Sequence, residues 1–558
     1  MIRISAYFIV MVSIVCNKLS VALYIVLLVL HCMKTIITLF EKATALPQRL
    51  VDSIGMYRVV TLALVSLVIF SFISGAIGWL TYGPGTQAVS LAVALVVALG
   101  LNYVLAALYR VAANHESAVI TALIMFFLVI PTDSLVDNWQ LAGGTSLAIV
   151  SKYLIAYRWQ HIANPAATGA VLLALGIVLY NLVAGTDYTT DIFSWWIANP
   201  TLLWPVVIVG SLVVFKVRKW PMILTFFAVG LLVFLFEEWS FGVLGIDSVS
   251  LYFVQFPTLF LAFFMLTEPF TMPPTTRTQM AYAALVGFLS STTLFSPFFA
   301  MTPELALVFG NVFAYSYRIR QKLYLELLEK RQIAVDTWEF VFNKPTGFTF
   351  AAGQYLEWML PHAGADSRGV RRYFTIASSP TENVVRLALR MMPEGKRGSS
   401  YKRALAELDT GDVVIASQLS GDFLLPSDTS TKLGFIAGGI GITPFSSHLR
   451  YMADSGKAHD TALYYACNER EDLAYVSDFA QLDLPLSIVP VLNDGDESAG
   501  EESGYITPET LTSRTPDYRE RTWYISGPPG MVNAYNTMLQ TAAVPRQQIK
   551  KDFFPGLA

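Results

Sequence analysis

Apolar residues run almost unbroken through the first part of this chain, then alternate with polar ones through the rest. Long apolar stretches lie near 56–80, 88–109, 117–132, 139–157, 164–185, 198–216, 220–238, 250–267, 278–296 and 302–317. A helix rises about 1.5 Å per residue and the hydrocarbon core of a bilayer is about 30 Å thick, so roughly 20 apolar residues make one span. The pattern therefore predicts about ten membrane helices over 50–320, with an eleventh near 20–40 inside an N-terminal segment 1–49. Past Arg318 to Lys322 the period changes. LYLELLEK, TWEFVFNK, QYLEWML, RYFTIASS, VVRLALRM and DVVIASQL are strand-like and separated by Gly, Pro and charged turns, which predicts an antiparallel β-barrel over 321–429. LGFIAGG, ALYYACN, LSIVPVL and RTWYISG are short apolar runs between helical segments, which predicts an α/β doubly wound parallel sheet over 430–558. The expected fold class is a multi-domain membrane protein: an all-α polytopic helical bundle followed by the barrel and the α/β domain.

Composition and charge sharpen that picture. Of 558 residues, 54% are hydrophobic and 14% charged, too apolar for one water-soluble fold. The formal net charge is −3 and no basic run stands out, so nucleic acid is not an expected partner and the lipid bilayer is. Between the predicted spans, Arg49 with Arg58, Arg110, Lys152 with Arg158, Lys216 with Arg218 and Lys219, Arg277, and Arg318 with Arg320 fall on one side. Asp133, Asp137, Asp187, Asp191, Glu237, Glu238, Asp247 and Glu304 fall on the other. The positive-inside rule turns the basic loops to the cytoplasm, and the C-terminal half with them, in a multi-pass protein of the cell membrane. Cys16, Cys32 and Cys467 are too few and too scattered for a disulfide framework, a metal site or an iron–sulfur cluster. His31, His115 and His161 lack the paired spacing of a transmembrane haem relay, so electron carriers are expected to be organic. The acidic stretch Asp494 to Glu502 reads as a solvated loop.

Two interruptions mark the membrane part. Asn164-Pro165-Ala166-Ala167-Thr168-Gly169-Ala170 opens one span, and Thr267-Glu268-Pro269 followed by Pro273-Pro274-Thr275 closes another, both on the predicted cytoplasmic side. Proline favours the first turn of a helix and ends one elsewhere, so an ordinary helix start and stop suffices locally. Broken helix ends also line polar sites in membranes. With the span pattern, NPAA at 164–167 and TEP with PPT at 267–275 resemble the membrane flavin subunits of the Rnf complex and of the sodium-pumping NADH:quinone oxidoreductase, over roughly 50–317. That resemblance implies electron transfer on flavins at the membrane. Members attach FMN to Thr in an S/T-G-A-T segment, whereas the loop at 185–191 here reads GTDYTTD and Thr168-Gly169-Ala170 is followed by Val171. A noncovalent flavin (FMN or riboflavin), a quinone, or direct transfer to a redox partner protein is left open.

The C-terminal half carries more specific chemistry. Gly438-Gly439-Ile440-Gly441-Ile442-Thr443-Pro444 follows an apolar strand and opens a helix, a turn in which glycines let backbone amides approach a pyrophosphate. Arg372-Tyr373-Phe374-Thr375, Gly398-Ser399-Ser400 before a helix, this glycine turn, and Ser526-Gly527-Pro528-Pro529-Gly530-Met531 stand in the order found in the ferredoxin–NADP reductase superfamily, which residues 321–558 resemble. The resemblance implies FAD on the barrel and NADH or NADPH on the sheet. Arg372 would contact the FAD pyrophosphate, with Ser399 and Ser400 on phosphate oxygens. Phe374 would pack by the isoalloxazine beside Tyr373, and Thr375 would offer its hydroxyl near flavin N5. Gly438, Gly439, Gly441, Thr443, Pro444, Gly527, Pro528 and Met531 would hold the nicotinamide nucleotide. Ser526 replaces the usual Cys beside the nicotinamide, Phe374 lacks the usual Tyr hydroxyl, and Phe554 or Phe553 takes the place of the ring that covers the flavin. Catalytic roles fall to Thr375, Ser526 and Phe554. Asn468 and Arg470 end the second strand of the sheet, where Arg470 suits a 2′-phosphate while Glu469, Glu471 and Asp472 oppose one, so NADH is favoured.

The expected function is a membrane-bound NAD(P)H-dependent FAD oxidoreductase delivering electrons to a membrane flavin, quinone or partner. Export of electrons to extracytoplasmic acceptors, with or without ion coupling, and a transporter or channel that senses redox state through its FAD/NAD domain are the rival readings.

Overall fold

The computed structural model describes residues 55–109, 114–157, 160–186, 193–254, 256–293, 301–317, 322–366, 369–391 and 399–552. The chain divides into two compact units, the first ending at Arg320 and the second beginning at Gln321. The eleventh predicted span, Gly398, Phe553 and Phe554 lie outside the described residues.

The first unit is helical: α1 (Met56–Ala76), α2 (Pro84–Leu108), α3 (His115–Leu128), α4 (Trp139–Leu154), α5 (Pro165–Ala184), α6 (Leu203–Val217), α7 (Trp220–Ser240), α8 (Ser248–Val254), α9 (Thr258–Phe260, running on as a π-turn over Leu261–Met265), α10 (Thr276–Ser291) and α11 (Pro303–Tyr315). A short hairpin of β1 (Ala156–Tyr157) and β2 (Gln160–His161) joins α4 to α5. Every one of the ten apolar segments contains helix, yet the count of ten spans does not stand. Among the described residues, five helices are long and apolar enough to cross a membrane (Met56–Ala76, Pro84–Leu108, Pro165–Ala184, Pro200–Val217 and Trp220–Ser240), and a sixth arises there only if α8 and α9, bent by 57°, count as one broken span. The others stop early for local reasons. At about 1.5 Å per residue, α4 and α10, each 16 residues, and α11, 13 residues, fall short of the hydrocarbon thickness. Capping residues Asn114, Thr275 and Thr302 fix where α3, α10 and α11 begin, each side chain accepting a backbone N–H of the first turn. Apolarity alone does not report such caps.

Small residues bring these helices together. A Cβ on Gly169 would stand 2.6 Å from the Ala148 backbone nitrogen, so α5 and α4 pack as closely as two helices can only because position 169 is glycine. Buried polar groups are satisfied across helices: Ser71 on α1 donates to Gln87 on α2 at 2.8 Å, and Gln87 Nε2 donates to the Tyr82 carbonyl at 2.8 Å.

The second unit contains two sheets. β3 (Leu323–Ala334), β4 (Thr337–Asn343), β5 (Tyr355–Met359), β6 (Arg371–Thr375), β7 (Val384–Arg390) and β8 (Val413–Ser420) form an antiparallel sheet of order β6-β5-β8-β3-β4-β7. These are the six strand-like segments of the sequence. β9 (Leu433–Gly438), β10 (Thr461–Ala466), β11 (Leu486–Leu492), β12 (Glu502–Ser503), β13 (Thr522–Ser526) and β14 (Ile549–Asp552) form a parallel sheet of order β12-β11-β10-β9-β13-β14. Its faces bury separate apolar clusters, Phe435, Phe445, Leu449 and Tyr524 on one side, Ile436, Tyr464, Trp523 and Val532 on the other. β12 and β14 carry no apolar run, which is why periodicity does not reveal them. The sequence reversal from β9 outward to β10 and to β13 opens a crevice at the carboxyl edge, where ligands of such sheets bind.

Candidate functional site

Two motifs far apart in sequence meet at that edge. β9 and β13 are parallel neighbours with Ser526 opposite Ala437, so the glycine turn leaving β9 and the Ser526–Met531 segment leaving β13 lie side by side. A Cβ on Gly441 would fall 2.7 Å from Gly527 Cα and against the Ser526 carbonyl. Met531 and Pro528 pack over Gly438. Gly439 has φ +50°, and Thr443 starts the helix Thr443–Ser455, with Pro444 in its first turn. β10 flanks β9 on the other side, Ala466 opposite Gly438, and delivers Asn468 and Arg470 to the same edge. Arg470 is already engaged: its guanidinium meets Glu501 at 2.7 Å. Glu501 is buried, the one exception among the described residues to the reading of Asp494 to Glu502 as a solvated loop, in which Asp494, Asp496 and Ser498 are exposed.

On the antiparallel sheet, β6 is an edge strand, so its side chains alternate between two surroundings. Arg372 and Phe374 share one face and both pack on Tyr401, the guanidinium 5.4 Å and the Phe374 ring 5.9 Å from its ring. Arg372 Nη2 donates to Asp366 at 2.9 Å and to Ser399 Oγ at 3.4 Å. Ser400 Oγ accepts the Asp366 N–H at 2.9 Å and pairs with His362 Nε2, while the Asp366 carboxylate accepts the Ser400 N–H. The predicted anion-binding groups Arg372, Ser399 and Ser400 are thus gathered around one carboxylate, Asp366. Tyr373 lies on the opposite face, its ring edge-on to Tyr355 and its hydroxyl directed to Glu357 and Gln418, each at 3.3 Å.

Six buried side-chain groups in this unit have no hydrogen-bond partner among the described residues: Thr375 Oγ1, Tyr401 Oη, His448 Nδ1, Ser526 Oγ, Gln548 Oε1 and Asp552 Oδ2. Burying a polar group without a partner costs about 1–3 kcal/mol, so each of these groups is a candidate for completion by a ligand. Two of these groups, Thr375 and Ser526, are those the sequence nominated; Tyr401 and Asp552 are not. Asp552 ends β14 directly opposite Ser526 on β13. Beyond burial, its charge with that of Asp422 opposes ionisation of Tyr355, which pairs with Thr375 across β5 and β6. Asp552 therefore belongs to the same neighbourhood as the two nominated hydroxyls. The sequence segment was read for its aromatic rings, and a lone Asp after two lysines gave no signal of burial.

Burial pushes the Asp552 carboxyl up to about 7. The unfolded carboxyl loses its proton near about pH 3.9, so the folded state holds the proton more tightly, and this group's contribution is fully present below that and is lost as pH rises through 7. Asp552→Asn is expected to stabilise the protein, with a gain about 2–3 kcal/mol larger at pH 8 than at pH 5. Thermal unfolding at the two pH values measures it, and an equal gain at both contradicts the assignment. In its protonated form Asp552 is a hydrogen-bond donor on the strand position opposite Ser526.

The two sheets are tied together by a buried ion cluster. Glu339 on β4, fully inaccessible, accepts from the Tyr475 hydroxyl at 2.6 Å, from Arg331 at 2.8 Å and from Arg386 at 2.9 Å. Burial opposes its ionisation, but the Tyr475 hydroxyl and the two guanidiniums hold the carboxyl below the usual range. Tyr475 follows the turn that carries Asn468 and Arg470, and sits at φ +66°, a conformation costing a non-glycine residue about 1–3 kcal/mol.

In the first unit the two interrupted segments also meet. Glu268 Oε1 is 3.0 Å from His161 Nε2 and its Oε2 accepts from Asn164 Nδ2 at 2.9 Å. Asn164 caps α5 by accepting from the Ala167 N–H, and its own N–H donates to Asn311 Oδ1. NPAA and TEP are therefore parts of one polar junction, with His161 as a third member that sequence spacing passed over.

Residues 435–537 match the family described as oxidoreductase NAD-binding domain, so the C-terminal half carries that domain. The chain is 27% identical over 224 residues to the reductase component of propane 2-monooxygenase from Rhodococcus jostii, covering 38% of this chain and 58% of that protein. It is 29% identical over 238 residues to the reductase subunit of an aromatic O-demethylase from Amycolatopsis, covering 41% and 69%. Among solved structures, an Amycolatopsis cytochrome P450 reductase aligns with 26% identity and a TM-score of 0.37 over 42% of this chain and 70% of its own. The FAD/NAD-binding domain of a Vibrio cholerae nitric oxide dioxygenase aligns with 19% identity and a TM-score of 0.38 over 41% and 98%. The chain spans 58% of the first of these curated relatives.

Proposed function

We propose that this chain is a membrane-bound flavoprotein oxidoreductase in which a nicotinamide nucleotide, with NADH favoured, reduces FAD held on the β3–β8 sheet, and electrons pass on to a membrane flavin, a quinone or a partner protein. The observation that carries this reading is the pair of buried, unpartnered groups Ser526 Oγ and Asp552 Oδ2 beside a glycine turn of oxidoreductase type. FAD, when bound, supplies the conversion between a hydride donor and one-electron acceptors. The chain's own groups do the rest. Arg372, with the Ser399 and Ser400 hydroxyls, would hold the pyrophosphate that Asp366 now mimics, its carboxylate accepting from Arg372 and Ser400. Phe374 and Tyr401 wall the flavin side of β6, and Thr375 offers a hydroxyl to the ring system. Ser526 and Asp552 flank the nicotinamide approach from β13 and β14, and their fixed strands orient it, which is the main source of rate in hydride transfer.

For the acceptor, two kinds of support exist. Relatives named as reductase components favour a redox partner protein. The resemblance of residues 50–317 to membrane flavin subunits, and the Glu268–His161–Asn164 junction, favour an acceptor in the membrane half, since ionisable groups placed among apolar helices are functional by default. The cytoplasmic side is the expected location of the second unit, from the distribution of Lys and Arg. The test is an anaerobic NADH titration of the detergent-solubilised full chain, with flavin extracted and identified beforehand. Bleaching of one FAD per chain is expected, and a second flavin bleached in sequence identifies a relay into the membrane; bound FAD that NADH does not reduce, with no oxidation of NADH by any artificial acceptor, contradicts the reading.

A further inference from the structure

The acidic loop that composition alone leaves as a solvated surface has one member that is not on the surface. Glu501 is 4% exposed, and its two oxygens are both engaged: Oε2 accepts the Asp496 N–H at 3.0 Å and Oε1 meets Arg470 at 2.7 Å. Arg470 itself is 61% exposed along its side chain. It opens the short turn Arg470–Asp472 after β10, the strand beside the one that ends in the glycine turn. In sheets of this build a dinucleotide with its pyrophosphate on the glycine turn sets its adenosine ribose at the end of the adjacent strand, where an acidic group suits a free 2′-hydroxyl and a free Arg suits a 2′-phosphate.

We propose that Glu501 sets the nucleotide preference of this chain by holding Arg470, so that the site accepts a dinucleotide with a free 2′-hydroxyl and rejects one with a 2′-phosphate. The inference rests on the nucleotide-site reading above and names its specificity residue. For Arg470 to turn to a 2′-phosphate it must leave Glu501, and a carboxylate that stays buried with only the Asp496 N–H is costly. The incoming phosphate would add charge to a neighbourhood that already contains Glu501, Asp496, Glu469 and Glu471, against an Arg470 guanidinium committed to Glu501 and an Arg390 guanidinium that lies near Asp472. The next basic residue along the chain after Arg470, Arg514 at the end of the helix Pro508–Arg514, is spoken for, since it pairs with Glu502 at 2.7 Å. Asp472 faces away, toward Arg390 at 3.6 Å. The same Arg that, read alone, predicts NADPH is thereby converted into part of an NADH site.

Glu501→Gln keeps the side-chain volume and an acceptor for the Asp496 N–H while removing the charge that holds Arg470. On the full chain, the ratio of kcat/KM for NADPH to that for NADH, with ferricyanide as acceptor, is expected to rise about tenfold in this variant, the size of one charged hydrogen bond gained. Adding Arg470→Ala should take the gain away. Calorimetric titration with 2′,5′-ADP and with 5′-ADP reads the same preference without turnover: the wild-type chain is expected to bind 5′-ADP more tightly, and Glu501→Gln to narrow the gap. A ratio and a gap unchanged in Glu501→Gln overturn the assignment of Glu501. Equal or tighter binding of 2′,5′-ADP by the wild-type chain overturns it without any variant. If the wild-type chain binds neither nucleotide, the nucleotide-site reading itself fails, and the assignment with it.

Discussion

Gly441→Val is expected to lower the rate of flavin reduction by NADH at least about 100-fold, a loss typical of misplacing reactants by about 1 Å, while FAD content stays near that of the unmodified chain. The reason is backbone against backbone. A Cβ at 441 meets the Ser526 carbonyl and Gly527 Cα, neither of which can rotate away as a side chain would. The turn after β9 and the segment after β13 must therefore part, and those are the two walls of the proposed nicotinamide site. Gly438 offers a contrast, since a Cβ there meets the flexible Met531 side chain first. Gly438→Ala should cost much less. Stopped-flow reduction with NADH, alongside flavin content and an unfolding curve, distinguishes the two; equal and small effects at both positions would show that the close approach of the turns does not matter.

How far the site was legible depended on whether its signals were local. The glycine turn, Arg372-Tyr373-Phe374-Thr375 and Ser526–Met531 are contiguous stretches whose residue types are demanded by turn geometry and phosphate chemistry, and the fold brings the first and last of them side by side. Asp552 was invisible because what distinguishes it is burial opposite Ser526 on a strand with no apolar run. Glu501 was misread for the same reason: an acidic loop looks solvated until one of its carboxylates is found under the chain beside an Arg. In the first unit, every apolar segment contains a described helix, and the starts of the helices His115–Leu128, Thr276–Ser291 and Pro303–Tyr315, capped by Asn114, Thr275 and Thr302, fall within two residues of the apolar boundaries, whereas their C-terminal ends come earlier than apolar content implies. The meeting of Glu268 with Asn164 and His161, more than a hundred residues apart in sequence from Glu268, is a tertiary fact that no spacing rule carries.

Glu339→Ala is expected to cost about 3 kcal/mol of stability, the order found when one partner of a buried ion cluster is removed. Its carboxylate is one of the points at which the antiparallel sheet takes hold of the segments around the parallel one, through Tyr475. Removal leaves the Tyr475 hydroxyl without its acceptor and Arg386 with Glu382 alone. It also releases the constraint that keeps Tyr475 at φ +66°. Relaxation of that residue reaches the turn bearing Asn468 and Arg470, so flavin reduction by NADH should slow together with the loss of stability. Glu339→Gln retains an acceptor for Tyr475 and should lose less; Tyr475→Phe removes one hydrogen bond to a charged group, worth about 1.5–3 kcal/mol. Because the folded carboxyl is held below its ordinary range, the cluster's contribution is present above the unfolded value of about 4.3 and is lost as pH falls through the lower folded value. Acid should thus weaken the unmodified chain and leave Glu339→Gln comparatively indifferent. Flavin release during thermal unfolding at neutral and acid pH measures both effects, and a Glu339→Ala chain that melts and reduces its flavin like the unmodified one would remove this cluster from any account of how the two sheets are held in register for hydride transfer.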